Sequence, residues 1–420
     1  MPRGPVVEGH GSDVAIVGAG AAGLATAIFL RRLNPTCSVA LLDSASRPGA
    51  KILISGGSRC NVTNVAVSER DFNGGKPSIV RRILKAFPPS DVVEWFASLG
   101  VPLHEEALGK LFPDSNRSRD VVNALLAEVH AAGVELKTSA RVDDLIPGPT
   151  LAISTADGHI HSAAVVLATG GLSLPKTGSD GHGLAIAARI GHTIIPTTPA
   201  LVPLAAVDAS LNQRLSGVSQ AVEVALWIDG RIATRLRGAL LWTHFGVSGP
   251  VVLDVSRHWL RARLDDRDAR LTINFVPGET FDAVDARWLS LASATPHASL
   301  HAALSAMVPA SVASEILRRI PLDAAMVLAH LPREARRRLS HALTEWPLDI
   351  TSSRGYNYAE ATAGGVALDE INPATMESLR CPGVYFVGEM LDVDGRIGGF
   401  NFQWAWASAR TAAEAIAQRF

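Results

Sequence analysis

What this chain has little of narrows its function first. It holds three cysteines, Cys37, Cys60 and Cys381, far apart and odd in number, with no C-x-x-C. That argues against a disulfide framework, a structural zinc site and a thioredoxin-like redox pair, and it points to a reducing compartment. No cluster has metal-ligand spacing, so no metal is expected. Net charge is −1 over 420 residues, which gives no global electrostatic case for nucleic acid or an anionic membrane as partner. Apolar stretches are broken by Gly, Arg or Asp well short of a membrane span. The opening MPRGPVVEGHGSD lacks an apolar h-region and does not read as a signal peptide, so the sequon matches at Asn61 and Asn116 read as chance. A soluble, cytoplasmic protein is the expectation. Hydrophobic residues at 47% and charged residues at 19% are ordinary for a globular chain, and the length allows two or three domains.

The first informative segment is DVAIVGAGAAGLATAIFLRRL, residues 13–33. A short apolar strand runs into Gly18-Ala19-Gly20-Ala21-Ala22-Gly23, and an apolar helical pattern follows. Strand, G-x-G-x-x-G and helix together form a dinucleotide-binding fingerprint. Gly18 permits the tight turn, Gly20 lets the backbone approach a pyrophosphate, and Gly23 lets helix and sheet pack closely. A second strand ends in Asp43, at the spacing that places an acid on an unphosphorylated ribose. The fingerprint alone leaves NAD and FAD open.

Later segments favour FAD. SAAVVLATGGLSLP, residues 162–175, is an apolar strand opening into Thr169-Gly170-Gly171, and it resembles the second flavin-contact motif of two-dinucleotide-fold FAD enzymes. Near the C-terminus, Val384 to Val387 read as a strand ending in Gly388-Glu389, and Gly398-Gly399-Phe400-Asn401 opens a long Ala-rich helix. In such folds the acid holds the ribityl chain, and the helix aims its positive end at the flavin edge where negative charge collects. Both ends of the chain would then hold one cofactor.

VGAGAAGL, KILISGGSRCNVTN, ATGGLSLPKTGSDG, ATAGGVALDEINPATMES and VGEMLDVDGRIGGFNFQWAWASA in combination resemble one family, the FAD-binding oxidoreductases of BaiN or aminoacetone-oxidase-like type. The resemblance runs from about Val14 to the C-terminus. It implies an α/β fold: a split Rossmann-like FAD-binding domain of two-dinucleotide-fold type, with an inserted β-barrel-like domain and a small helical domain. The expected order is FAD domain over 1–195, inserted β-rich domain over 196–280, helical subdomain over 281–347, β-rich return over 348–366 and FAD domain again over 367–420. Residues 51–64 would be the Gly/Ser loop lying along the flavin. Lys51, Ser55, Gly56 and Asn61 are its expected cofactor neighbours, and Asn64 offers a further hydrogen-bonding group. Ser58 stands where the family usually has glycine, which argues against a positive φ there. Cys60 reads as a small buried side chain rather than a redox thiol. Arg141-Val142 matches the place where related enzymes grip adenine through the backbone. His244, in WTHFGVSGP, is a candidate to face substrate, although a lone histidine is more often structural.

No second G-x-G-x-x-G follows a strand, so no dedicated NAD(P)H domain is visible. The expected activity is FAD-dependent oxidation–reduction of a small organic substrate by hydride transfer at flavin N5, with NAD(P)H as a transient donor. An oxygen-using amine oxidase is the alternative. A flavoprotein associated with tRNA or other nucleic acid is the alternative from another class, kept alive by Arg333, Arg336, Arg337 and Arg338 and opposed by the neutral charge. Catalytic residues and oligomeric state are not legible.

Overall fold

The computed structural model describes residues 11–420, so most of the segment read as lacking an h-region lies outside the described residues. The chain divides into two units, Met1–Pro199 with Ala359–Phe420, and Ala200–Tyr358.

The first unit is built on a seven-stranded sheet whose central strands are parallel and which the antiparallel strands Leu151–Thr155 and Val142–Ile146 extend. Strand β1 (Ser12–Val17) pairs in parallel with β2 (Val39–Leu42) on one side and with Gly158–Leu167 on the other. Glu135–Lys137 extends the sheet beyond β2, and Val384–Phe386 pairs in parallel with Gly158–Leu167. Val14–Val17 of β1 and all of β2 are apolar and buried, as expected of central strands in a parallel arrangement. Helix α1 (Ala21–Leu33) packs along the C-terminal helix Phe400–Arg419, and small residues such as Ala25, Ala409 and Ala412 bring the two helices close. Leu24, Ile28 and Phe29 of α1 are buried, each contributing about 1.5–3 kcal/mol relative to exposure.

Register then does something no single segment can. Val17 lies beside Leu167, and Leu167 lies beside Phe386. Because these strands are parallel, their carboxyl ends reach one edge together, and the glycine-rich segments following each emerge side by side. Ligands bind at such an edge in open α/β sheets.

A buried polar cluster ties the late part of this unit together. The His192 ring contacts Glu370 Oε2 at 3.1 Å and Ser378 Oγ at 2.7 Å, while the Thr193 amide and Arg380 donate to the same carboxylate at 2.9 Å each. Burial opposes ionisation of Glu370, but the Thr193 amide and the Arg380 guanidinium outweigh it and hold the carboxyl at about 2.

The second unit carries a seven-stranded antiparallel sheet. Its longest pair, Ser219–Ile228 with Arg231–Thr243, turns at Asp229-Gly230, both left-handed, as the turn residues require. The two edge strands, Trp346–Leu348 and Ile350–Ser353, are separated by Asp349 alone. The sheet must therefore curl until its edges almost meet, which accounts for the barrel-like character. Helices Pro250–Leu264, Phe281–Ala294, Ala310–Arg319 and Arg333–Thr344 share one apolar core with the sheet, in which Trp288, Ile316 and Leu339 join Val224, Leu226 and Ile273. Two assignments differ from the sequence expectation. The helical stretch 281–347 packs into the sheet's own core, and residues 359–366, expected with the inserted region, group with the first unit. Strand Ala361–Val366 pairs with Ile194–Ala200, and that pairing is invisible in the local sequence. His244 is exposed and packs edge-on against Phe245.

Candidate functional site

The three glycines of the fingerprint have different physical reasons. Gly18 has φ +104, and a Cβ there would lie 2.5 Å from the Ala168 carbonyl oxygen. A Cβ on Gly23 would lie 1.8 Å from the Gly18 oxygen. Both are demanded by the fold. Gly20 is not: its φ of −81 suits any residue, and a Cβ on it would meet no protein atom within 4 Å. Gly20 is also the N-cap of α1, and no side chain among the described residues caps that helix. The result is a cradle of unshielded backbone at a positive helix end, followed by the small Ala21 and Ala22. Such a cradle fits a pyrophosphate.

Asp43, just beyond β2, accepts the Ala19 amide at 2.6 Å and the Ala45 amide at 2.7 Å. One carboxylate thus fixes the glycine turn. Burial pushes its pKa up against these two amides. The Ala140 amide donates to the Asp43 carbonyl at 2.8 Å, which brings Arg141 and Val142 beside the acid. Arg141 itself pairs with Asp180 at 2.9 Å, both part-exposed.

The stretch expected as a plain loop begins as a helix, α2 (Ala50–Ser58), and breaks inside it. Ser55 is extended, and Gly56 and Gly57 have φ of +54 and +67. Ser58 continues the left-handed run at φ +66, and Cys60 follows at φ +62. Ser58 therefore does adopt a positive φ, contrary to the sequence expectation. Its neighbours hold the path, and the left-handed state costs about 1–2 kcal/mol at a non-glycine residue. Ser55 donates to the Ile52 carbonyl at 2.7 Å, and a Cβ on Gly56 would come within 3.0 Å of the Asn61 amide nitrogen. Cys60 is fully buried, and burial pushes its thiol up to about 12, so it is an inert packing residue.

The two asparagines of this loop differ. Asn64 donates to the Leu108 and Gly398 carbonyls, at 3.0 and 3.2 Å, and accepts the Ala66 amide at 3.2 Å, so its side chain is spent on the fold. Asn61 is buried, yet its Oδ1 has no hydrogen-bond partner among the described residues. Thr169 Oγ1, at the end of Gly158–Leu167, is likewise buried and without a partner. Buried polar atoms left unpaired cost free energy unless something else satisfies them. These two oxygens and the bare Gly20 fit a bound dinucleotide.

Around them the other expected residues assemble. Lys51 donates to Ser173 and to Glu389, and the Ser173 hydroxyl donates to Glu389 Oε1 at 2.6 Å. Ser173 is completely buried, and with Leu172 it donates its amide to Thr362 Oγ1 at 3.0 and 2.9 Å. Neither Ser173 nor Thr362 was singled out from sequence. Ser173 sits two residues past the Thr169-Gly170-Gly171 turn, a short hydroxyl inside a motif already conspicuous, while Thr362 gave no local signal. Gly170 has φ +74 and room for no Cβ beside Ser179, and Gly171 abuts Thr362. Gly388 has φ +69, and its amide donates to Ser408 at 3.0 Å.

The C-terminal helix opens at Gly399, φ +93, without a side-chain cap among the described residues, and a Cβ on Gly399 would strike the Thr63 carbonyl at 2.5 Å. Gly398, φ +132, and the buried Phe400 complete that turn. The Asn401 side chain faces its own loop, exchanging hydrogen bonds with Gly395 at 2.8 and 3.0 Å. Among the described residues no helix is long and apolar enough to cross a membrane, and no His/Cys/Asp/Glu cluster could hold a metal.

Residues 12–415 match the family described as the HI0933-like protein Rossmann domain. A relative from Escherichia coli named ribosomal RNA dihydrouridine synthase is 33% identical over 408 residues, 96% of this chain and 97% of that one. A relative from Clostridium scindens named 3-dehydro-bile acid delta(4,6)-reductase is 31% identical over 407 residues, 97% of this chain and 99% of that one. Among solved structures, the FrdA chain of Escherichia coli quinol fumarate reductase has a TM-score of 0.52 at 16% identity, covering 98% of this chain and 71% of that one. The 3-ketosteroid-delta4-(5alpha)-dehydrogenase of Rhodococcus jostii has a TM-score of 0.50 at 15% identity, covering 98% and 97%. These two likenesses speak for the fold. The glycine cradle, the unpaired Asn61 and Thr169 oxygens and full-length similarity agree: the chain belongs to the HI0933-like family and is an FAD-dependent oxidoreductase.

Proposed function

We propose that this protein is an NAD(P)H-linked reductase of a carbon–carbon double bond conjugated to a carbonyl. The observation that carries the reading is a chemistry shared by two full-length relatives with unrelated substrates. A 4,6-diene in a 3-oxo bile acid and the C5=C6 bond of uridine are both conjugated to a carbonyl, and the names of the two relatives imply saturation of each. When bound, FAD would supply the hydride acceptor and donor for such a reaction. The chain's own residues would do the rest. The α1 N-terminus and Gly20 receive the pyrophosphate, Asp43 the adenosine ribose, and the backbone of Arg141-Val142 the adenine. Lys51, Ser55, Gly56, Asn61, Thr169 and Glu389 line the flavin half, and the N-terminus of Phe400–Arg419 favours negative charge on the reduced ring. With no second dinucleotide fingerprint, NADH or NADPH would dock where the substrate docks, alternating with it. A cytoplasmic location belongs to the proposal, since all three cysteines are free and buried.

A second reading, a uracil in RNA as substrate, is favoured by the Escherichia coli relative at 33% identity. The arginine cluster lends it little, because Arg336 is committed to Asp285 at 2.9 Å and Arg337 lies over the Phe281 ring at 4.8 Å. Anaerobic mixing of the yellow protein with NADH and with NADPH, followed by 2-cyclohexenone, a 3-oxo-4,6-diene steroid or a uridine-containing rRNA transcript, separates the readings. Bleaching of the flavin band and its return with an enone supports the proposal. Return with RNA alone transfers it to the second reading. No bleaching with either nicotinamide overturns the NAD(P)H link, and oxygen uptake with amines then tests the oxidase alternative.

A further inference from the structure

Ser173 and Glu389 come from distant parts of the chain, yet one strand meets the turns that carry them both. Ala361–Val366 is buried along its whole length, and its side chains alternate in direction, so Thr362 points away from Ala361 and Ala363. Thr362 is fully buried, and its Oγ1 accepts the amides of Leu172 and Ser173 at 2.9 and 3.0 Å. Two successive amides thus converge on one side-chain oxygen. The same turn packs on that side chain, since a Cβ on Gly171 would lie 2.5 Å from Thr362 Oγ1. Further along the strand, a Cβ on Gly365 would lie 2.6 Å from the Met390 carbonyl oxygen. Val366 bridges in parallel with Leu391, and the Asp392 amide donates to the Val366 carbonyl at 2.9 Å. The strand therefore braces Ser173 with a side chain and the Glu389 turn with its backbone.

Between those two braces lies a carboxylate. Ser173 donates from Oγ to Glu389 Oε1 at 2.6 Å, while Lys51 donates to Glu389 Oε2 and to the Ser173 hydroxyl. Each oxygen of Glu389 is held by one partner, and a carboxylate so held keeps lone pairs for a further donor. The two partners differ in reach. Lys51 adapts through a flexible four-carbon stem, whereas the Ser173 hydroxyl goes only where its backbone puts it. That backbone is pinned at its amide by Thr362, whose β-branched side chain is stiff at χ1.

We propose that Thr362 is a positioning residue of the cofactor site: by accepting the Leu172 and Ser173 amides it aims the Ser173 hydroxyl at Glu389, and so sets the carboxylate that grips FAD. The proposal rests on the reading of Glu389 as a group of the flavin half. Valine matches threonine in shape and lacks its acceptor, so Thr362→Val leaves two buried amides unpaired with little change in packing. Serine keeps the acceptor. A threonine that served the fold alone would weaken the cofactor site whether or not Ser173 carried a hydroxyl. A threonine that positions Ser173 matters only while that hydroxyl is there.

The test follows FAD release from the holoprotein on dilution, read as the rise in free-flavin fluorescence. The variants are Thr362→Val, Thr362→Ser, Ser173→Ala, Glu389→Gln and the double variant Thr362→Val/Ser173→Ala. Thr362→Val and Ser173→Ala are each expected to speed release about tenfold, with Thr362→Ser within about twofold of wild type. The double variant is expected to release FAD within about twofold of Ser173→Ala, because the two changes remove one interaction. Multiplied effects in the double variant, or failure of serine to restore slow release, overturn the proposal and leave Glu389 as a cofactor group. Unchanged release in Glu389→Gln shows that the carboxylate does not grip FAD, and the proposal falls with that reading. If Thr362→Val does not fold, Thr362→Cys, similar in size and a weak acceptor, takes its place with the same opposed outcomes.

Discussion

Replacing Gly20 with alanine separates a glycine kept for a ligand from one kept for the fold. The backbone at Gly20, φ −81 and ψ −167, is open to alanine, and the added methyl would meet no protein atom within 4 Å. Alanine lowers the entropy of the unfolded chain by about 0.4–1 kcal/mol, but it is a poorer N-cap than glycine by a similar amount. The two terms nearly cancel, so the stripped protein should keep its thermal midpoint within about a degree. The methyl does project into the space in front of the uncapped α1 N-terminus. If a pyrophosphate lies there on the bare backbone, FAD affinity should fall on the order of 100-fold, which is about 2.7 kcal/mol. Gly23→Ala is the control, since its Cβ would lie 1.8 Å from the Gly18 carbonyl oxygen. That contact must push helix from strand, costing about 3 kcal/mol or more and lowering the midpoint with or without FAD. The assay is differential scanning fluorimetry of both variants, stripped and reloaded, beside a fluorescence titration with FAD. Wild-type FAD affinity in Gly20→Ala would show that the open space is not the pyrophosphate site. A destabilised stripped Gly20→Ala would show that the glycine serves the fold, and either result would refute the reasoning.

Three further outcomes follow from the same geometry. Ser58→Gly should raise stability by about 0.5–1 kcal/mol, because φ +66 costs a serine more than it costs glycine; a lower urea midpoint would contradict this. Glu370 is held at about 2 against an ordinary 4.5, so its linkage, about 3 kcal/mol, is fully present above pH 4.5 and is lost as pH falls toward 2. Glu370→Gln should therefore be destabilised most at neutral pH, with the gap to wild type narrowing between about pH 5 and pH 3, and a gap independent of pH would rule out the carboxylate as its source. Cys60, with its thiol pushed up to about 12, should resist a thiol reagent in the native protein at pH 8 and react only on unfolding; rapid native labelling at Cys60 would reopen a redox role.

Local chemistry wrote part of this protein into its sequence. An apolar run ending in G-x-G-x-x-G must turn sharply and open a helix, because only glycine permits φ +104 at Gly18 and only a missing side chain fits at Gly23. The Asp229-Gly230 hairpin and the Ala-rich C-terminal helix are legible for the same reason, as each depends on residues within a few positions. Other features depend on contacts that no local pattern encodes. The positive φ of Ser58 is imposed by the residues around it, against its own preference. Lys51, Ser173 and Glu389 meet only because parallel strands end at one sheet edge. Asn61 and Asn64 look alike in the sequence, yet one is spent on the Leu108 and Gly398 carbonyls and the other keeps an unpaired buried oxygen. Which polar atoms are left over for a ligand is settled by the whole hydrogen-bond inventory, and that exists only once the chain is folded.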